Sequence, residues 1–349
     1  MSRLKVAVIF GGCSAEYGVS LESAYAVIKN MDGERFLPLP IGITEKGEWF
    51  LFRGDIHKIK DNTWLNDDDC TPVLYSPDRR EHKLILFCGE GTETLDIDAV
   101  FPVLHGRNGE DGTVQGLVEL SGTPLVGCGT LASALCMDKD RAHRLAGCAG
   151  VKVPRAMVLD SITDAGKAAA FAEMVGYPVF VKPVRSGSSY GITKAAGAGE
   201  LQTAVKTAFE YDSNVIIEQA IEGFEVGCAV MGNDELTVGE VDEIELCGGF
   251  FNFTEKYTLK TSAIHVPARV SPEKRREIKQ TAQKIYRALG CSGFARVDMF
   301  LTPEGDIVFN EVNTIPGFTE HSRFPNMMKA AGVSFEQVIS RVIELAVAQ

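Results

Sequence analysis

The chain has 349 residues, 45% hydrophobic and 23% charged, which is ordinary for a folded globular protein with room for two or three domains. Its net charge of -12 argues against a nucleic-acid partner, for which a basic surface is expected. Nine cysteines, odd in number and without a CxxC pair, argue against a disulfide framework or zinc site and fit reduced, mostly buried thiols better; with no apolar run long enough for a signal peptide or membrane span, the chain reads as cytoplasmic.

Lys5–Phe10 reads as a buried strand of the parallel type, ended by Gly11-Gly12, with a helix capped by Ser20 running to about Asn30. Leu37–Ile43 and Asp98–Leu104 are further strands, so the chain opens as an α/β domain. Residues 44–96 are polar and irregular, with apolar patches that fix no element. A short strand near Pro124–Gly127 ends this domain, and one helix is expected over 131–149. A helix over Asp164–Val175, strands Pro178–Lys182, Ile192–Lys194 and Val215–Ala220, and a helix over 200–210 make a small α+β unit. Strands near 225–231, 236–246, 293–301 and 306–312 suggest a large antiparallel sheet. Ser271 and Pro272 start a helix that runs to Leu289, and a last amphipathic helix covers Ser334–Val347.

The richest stretch is RVDMFLTPEGDIVFNEVNTIPGFTEHSR, from Arg296 to Arg323. Arg296 and Asp298 are two apart, as are Glu311 and Asn313, and side chains two apart in a strand share a face. A hairpin turning near Pro303–Asp306 sets Asp298 almost opposite Glu311. Two carboxylates and an amide oxygen suit Mg²⁺, which shares its shell with water and substrate phosphates. The adjacent Arg296 can hold a developing negative charge.

Other motifs read less sharply from the residues alone. Gly11-Gly12-Cys13-Ser14-Ala15-Glu16 can be a phosphate-binding turn, an ammonium site at Glu16 or simply a tight turn, and it lacks GxGxxG spacing. Leu104–Gly112, with three glycines around His105, Arg107, Glu110 and Asp111, is equally a ligand loop or a structural one. Lys139, Lys182 and the hydroxyl-rich loop Arg185–Gly191 favour a phosphate cradle over a solvated hairpin, although this is not a Walker A loop. Glu218, ending an apolar strand, can accept from an adenine amine and Glu225 from a ribose, or both can be exposed strand-end carboxylates. The aromatic run Phe250–Tyr257 can pack in a core or close as a lid.

Together GGCSAEYGVS, LHGRNGEDG, MDKDRA, VKPVRSGSSYG, EKYT, ARVDMF and NEVNTIPGFTEHSR resemble the D-alanine–D-alanine ligase family of the ATP-grasp fold, over nearly the whole chain. The resemblance implies an α/β protein with an N-terminal open α/β substrate-binding domain (1–128) and two α+β subdomains (129–220 and 221–349) clasping ATP, with a mobile loop at 247–263. It implies that Lys139, Lys182 and Lys256 hold ATP phosphates, with Glu218 at adenine and Glu225 at ribose. Asp298, Glu311 and Asn313 would bind two Mg²⁺ ions, for which Mn²⁺ is an alternative. Arg296 and the Gly317 N–H would form an oxyanion site. Glu16, in a set with Ser188 and Tyr257, would take the first D-alanine's ammonium, and Ser322, with His105 near it, the second substrate's carboxylate. The family also suggests a homodimer.

Two details mark a subgroup. Arg323 follows Ser322 where housekeeping members usually carry Leu, and Glu255-Lys256-Tyr257 is retained where D-lactate-using members differ. With Phe251, this combination is similar to the D-alanine–D-serine ligases of the VanG type, and it implies D-alanine and D-serine as substrates, with a D-alanine–D-alanine ligase of cell-wall synthesis as the alternative. Arg in place of Leu adds a polar donor beside the second site, which suits a hydroxymethyl side chain.

Overall fold

The computed structural model describes residues 3–66, 68–187, 190–246 and 262–348. The first apolar run forms β1 (Leu4–Gly11), parallel to β2 (Phe36–Ile43), with α1 (Tyr17–Lys29) crossing between them. The helix begins before Ser20, which is therefore not its cap. Ser20 is fully buried, and its hydroxyl accepts the Gly11 N–H at 2.8 Å and donates to the Val103 carbonyl, so it ties the glycine turn to a neighbouring strand end.

The stretch 44–96 is not irregular. It supplies β3 (Trp49–Phe52), a short α2 (His57–Lys60), β4 (Cys70–Tyr75), β5 (Lys83–Cys88) and β6 (Gly91–Asp96). With β7 (Ala99–Pro102), parallel to β1, the sheet order is β6-β5-β4-β3-β2-β1-β7. Trp64 organises this extension. It is fully buried, donates its indole N–H to the Tyr17 hydroxyl at 3.1 Å and meets Phe10 edge-on at 5.1 Å. Its ring fills the space over Gly42, where a Cβ would lie 2.4 Å away.

After α3 (Thr113–Ser121), the strand expected at 124–127 reduces to one bridge between Val100 and Leu125. The single helix expected over 131–149 is two, α4 (Thr130–Met137) and α5 (Lys139–Cys148). Asp138 leaves the helical conformation and its carboxylate accepts the Arg141 N–H at 3.0 Å, a side-chain N-cap that starts α5 at Lys139.

The second sheet contains β8 (Ala156–Leu159), β9 (Val179–Pro183), β10 (Thr193–Ala195) and β11 (Val215–Gln219), in the order β10-β9-β11-β8. Helices α6 (Ala165–Val175) and α7 (Ala198–Phe209) share its apolar core. The third sheet is antiparallel: β12 (Phe224–Gly232), β13 (Leu236–Leu246), β14 (Ser262–His265), β15 (Phe294–Leu301) and β16 (Ile307–Asn313), ordered β14-β13-β12-β15-β16. Most of the expected lid, residues 247–261, lies outside the described residues.

Helix α8 (Pro272–Ala288) starts where the Ser271 side chain accepts the Lys274 N–H, and it buries Ile278, Ala282, Ile285 and Tyr286. Helices α4 and α5 share this core with α8 and the third sheet. An unexpected short helix, α9 (Arg323–Ala330), precedes α10 (Phe335–Val347), which opens with a Ser334–Gln337 capping box. Phe101, Phe294, Phe318 and Phe324 join the first and third sheets in one aromatic core. The thiols divide: Cys128, Cys136, Cys228 and Cys291 are buried, whereas Cys13, Cys88 and Cys148 are exposed.

Because Trp64 is the filling of the first sheet's extension, Trp64→Ala is expected to destabilise the fold by about 3–5 kcal/mol. Urea unfolding at neutral pH measures it.

Candidate active site

The expected hairpin is present. In β15 and β16, Asp298 pairs with Glu311 and Arg296 with Asn313. A bulge follows at once, since Met299 pairs with Phe309 and Asn310 is the extra residue. The row continues across the sheet: Asp298 is opposite Gly227 in β12, and Gly227 is opposite Asp242 in β13. Asp242, Gly227, Asp298 and Glu311 thus form one line over four strands.

Arg323, the first residue of α9, lies over the middle of that line. Its Nε and Nη2 donate to the two oxygens of Asp242 at 2.7 and 2.9 Å, Nη1 donates to Glu225 at 2.8 Å, and Nη2 is 3.3 Å from Asp298. Gly227 makes the space, because a Cβ there would stand 2.4 Å from Nη2. The guanidinium is therefore a clamp on three carboxylates, with little of it left for a ligand, rather than the free polar donor expected beside the second site. Burial opposes its charge, but Asp242 and Asp298 outweigh that and raise its pKa well above the usual arginine value. Asp242 was missed in the sequence. Its strand also carries Glu240, Glu243 and Glu245, so one more acidic side chain gave no local signal.

Arg296 donates to both oxygens of Asp298, and the Asn313 amide nitrogen donates to the same carboxylate at 3.0 Å. Asp298 is almost fully buried, and Glu311 lies beside it on the cavity wall.

Two cavities meet here. One, of about 980 Å³, is bordered by Lys139, Lys182, Glu218, Glu225 and Glu311. The other, of about 670 Å³, is bordered by Glu16, His105, Arg296, Asn313, Gly317, Ser322 and Arg323. Lys139 and Glu311 line both. In the first, Lys182 Nζ is 2.6 Å from Glu218 Oε2, and His143 Nδ1 is 3.7 Å from the other oxygen. Burial disfavours the Glu218 charge, yet the Lys182 ammonium, with His143 and Lys139 nearby, prevails and holds its pKa below the ordinary carboxylate value. Lys139 Nζ donates to the Ser186 carbonyl at 2.6 Å.

In the second cavity, the Glu16 carboxylate lies against two backbone approaches. A Cβ on Gly106 would fall 2.6 Å from Glu16 Oε2, and one on Gly187 would fall 3.1 Å away. Gly106 and Gly187, from two different loops, are thereby brought to Glu16. Ser188, Phe251, Lys256 and Tyr257 lie outside the described residues. Ser322 directly precedes α9, and its hydroxyl meets Thr319 Oγ1 at 2.8 Å and accepts the Thr319 N–H at 3.0 Å. His105 borders the cavity, but its ring nitrogens are held by protein: Nδ1 by the Ile315 carbonyl at 2.9 Å and Nε2 by Ser23 Oγ at 3.2 Å. Glu110, from the same glycine-rich loop but given no role of its own in the sequence, is pushed up to about 8 by burial and by the neighbouring Glu16.

Three sheets hold a carboxylate–amide–arginine face beside a lysine-lined cleft, and comparison with known proteins identifies this arrangement as an ATP-dependent, ADP-forming ligase of ATP-grasp architecture. The family profile described as D-ala D-ala ligase N-terminus matches residues 5–128, and that described as D-ala D-ala ligase C-terminus matches residues 147–344. The chain belongs to the D-alanine–D-alanine ligase family. It is similar to the crystal structure of the VanG D-Ala:D-Ser ligase from Enterococcus faecalis, at 54% identity and a TM-score of 0.92, covering 99% of this chain and 100% of that one. It is 48% identical to the vancomycin B-type resistance protein VanB of Enterococcus faecalis, over 99% of each chain. It is 47% identical to a putative D-alanine–D-lactate ligase of Streptomyces coelicolor, over 99% of this chain and 98% of the other.

Two outcomes follow from the geometry. Arg323→Leu leaves Asp242 buried without its partner and is expected to cost about 3–5 kcal/mol in urea unfolding, with part recovered by adding Asp242→Leu. The Glu110 carboxyl titrates far above its ordinary value of 4.5, so the stability it contributes is full at low pH and is lost as pH rises towards about 8. Between pH 5 and 8, Glu110→Gln is expected to lose less thermal stability than the parent, a difference that paired melting curves measure.

Proposed function

We propose that this ligase joins D-alanine to D-serine through a D-alanyl phosphate, supplying a D-Ala-D-Ser terminus for peptidoglycan precursors. The observation that carries the two-step chemistry is the shared wall of the two cavities. Lys139 and Glu311 face both, so a nucleotide in the first presents its terminal phosphate to an amino acid in the second.

In this reading Lys139 and Lys182 hold phosphates in the described part of the cleft, with Lys256 joining them from the loop at 247–263. Glu218 receives the adenine amine and Glu225 the ribose. The donor set of Asp298, Glu311 and Asn313 fits Mg²⁺, since a magnesium site needs only one or two carboxylates, with phosphates and water completing its shell. When bound, the metal draws off the negative charge of the phosphates. Glu16, with Ser188 and Tyr257, fixes the ammonium of the first D-alanine. That substrate's carboxylate oxygen attacks the γ-phosphorus, the bond to ADP breaks and an acyl phosphate forms. The amine of the second amino acid then attacks the carbonyl carbon. Arg296 and the Gly317 N–H hold the oxyanion, and loss of phosphate and of the amine proton leaves the dipeptide.

For the second substrate, Ser322 at the start of α9 offers a hydroxyl and a helix N-terminus to a carboxylate. Arg323, clamped as it is, gives this wall a fixed polar surface where Leu would give an apolar one, and Phe251 is assigned to the same pocket. The likeness to a D-Ala:D-Ser ligase at 54% identity supports D-serine over D-alanine.

The test is phosphate release and product analysis with ATP, Mg²⁺ and D-alanine, alone and with D-serine or D-lactate, from pH 6 to 9. D-Ala-D-Ser is expected to dominate; absence of D-alanine-dependent phosphate release would refute the reading. Arg296→Ala is expected to lower kcat by about 10²–10³-fold. Arg323→Leu is expected to move the D-Ser to D-Ala preference by about tenfold or more, and an unchanged ratio removes Arg323 as a determinant.

A further inference from the structure

The segment that follows β16 has no strand partner, yet it is held from the first domain at both ends. Ile315 is gripped at both backbone groups: its N–H donates to Glu110 Oε1 at 3.2 Å, and its carbonyl meets His105 Nδ1 at 2.9 Å. Three residues later the Phe318 N–H donates to Ser23 Oγ at 3.3 Å. The Ser23 hydroxyl also faces His105 Nε2 at 3.2 Å, which closes the set.

The proton positions follow from the partners. A carbonyl only accepts, so Nδ1 of His105 carries the hydrogen, and Nε2 accepts that of Ser23. That arrangement takes a neutral ring, which burial favours by lowering the His105 pKa. Glu110 is itself anchored, because its Oε2 accepts the Gly106 N–H at 2.8 Å in the turn of the glycine-rich loop. Ser23 and His105 are 0% and 4% exposed, so these bonds are not exchanged with water. Gly317 sits between the two gripped positions.

We propose that Ser23, His105 and Glu110 are positioning residues that clamp the 315–318 segment and so fix the Gly317 N–H for the second half of the reaction. This rests on the reading of Gly317 as an oxyanion donor given above. An N–H stabilises a tetrahedral oxyanion only when it is aimed before the charge develops, and an irregular segment has no ladder of its own to aim it. The clamp supplies that aim from a rigid helix and loop. His105 then acts through the backbone of Ile315 and not on the second substrate's carboxylate.

The consequence is specific to one step. The attack on ATP does not use Gly317, whereas the attack of the second amine does. A loosened clamp lets the acyl phosphate wait, and water then cleaves it to D-alanine and phosphate without dipeptide. The measurement is dipeptide formed per phosphate released by the full chain with ATP, Mg²⁺, D-alanine and D-serine. Near one is expected for the parent. Glu110→Ala and Ser23→Ala are expected to lower it at least threefold while D-alanine-dependent phosphate release persists. Glu110→Gln, whose amide oxygen can accept one of the two N–H groups, is expected to fall between. A ratio that stays at the parent value in both folded alanine variants overturns the clamp, as does an equal loss of phosphate release and dipeptide. Failure of the parent itself to release phosphate with D-alanine would instead overturn the ligase reading on which the clamp rests. Melting curves identify any variant that does not fold, and Ser23→Ala, which deletes a single buried oxygen, keeps the test decisive if Glu110→Ala is lost.

Discussion

A missing side chain at Gly227 is the constraint on which the site depends. Asp242, Asp298 and Glu311 stand in one row of an antiparallel sheet, and Asp242 and Asp298 are almost wholly buried. Buried carboxylates so close would protonate or force the strands apart unless a cation lay among them. The absent Cβ at Gly227 gives the Arg323 guanidinium that position. Arg296 completes the neutralisation from the other side of Asp298. The result is a sheet face whose charges are already paired, a set of oriented groups and not a repelling cluster.

The same arginine does a second thing through the chain. It is the first residue of α9, so binding it to the sheet fixes the start of that helix and Ser322 immediately before it. In the proposed reading, specificity for the second amino acid and charge balance at the phosphates would therefore be mechanically linked. A substitution made to change the pocket also releases three carboxylates, and its effects on selectivity need to be separated from its effects on stability. That coupling follows from geometry alone and holds whichever amino acid is joined second.

Legibility in the sequence followed the range of the interaction. The hairpin was readable because period-two alternation and a Pro-Glu-Gly turn are local, and they fix which side chains share a face. The bulge at Asn310 and the pairing of Asp242 with Arg323 were not, since each depends on a register between strands or elements far apart in the chain. The break at Asp138 was missed because both flanking segments are helical, although Asp followed by the charged run Lys139-Asp140-Arg141 is itself a capping signal. The extension over 44–96 escaped notice because its strands are short and β6 is largely exposed, so the apolar alternation is weak. It is held on one face by Trp64, whose neighbours Phe10, Tyr17 and Gly42 come from three other elements or turns, and on the other by a core that includes Leu51, Val73, Leu84 and Leu86. The assignment of roles to single residues drew on resemblance to a family, while the hairpin face and its suitability for phosphate chemistry came from the residues themselves.

The segment from Asn313 to Arg323 shows why the two halves of the protein must be held as one unit. Its beginning is fixed by β16, which pairs with β15 through Asn313. Its end is fixed by Arg323 on the third sheet. Between them the backbone would be free to move, and the first domain reaches in through Ser23, His105 and Glu110 to hold it. The aromatic core of Phe101, Phe294 and Phe318 lies directly beneath these contacts and keeps the two sheets from separating. A rocking motion of the first domain relative to the third would break the polar contacts and the packing together, which makes it costly. Gly187, by contrast, meets Glu16 by close backbone approach and not through a shared core, so that contact lacks the packing that ties the first and third sheets together.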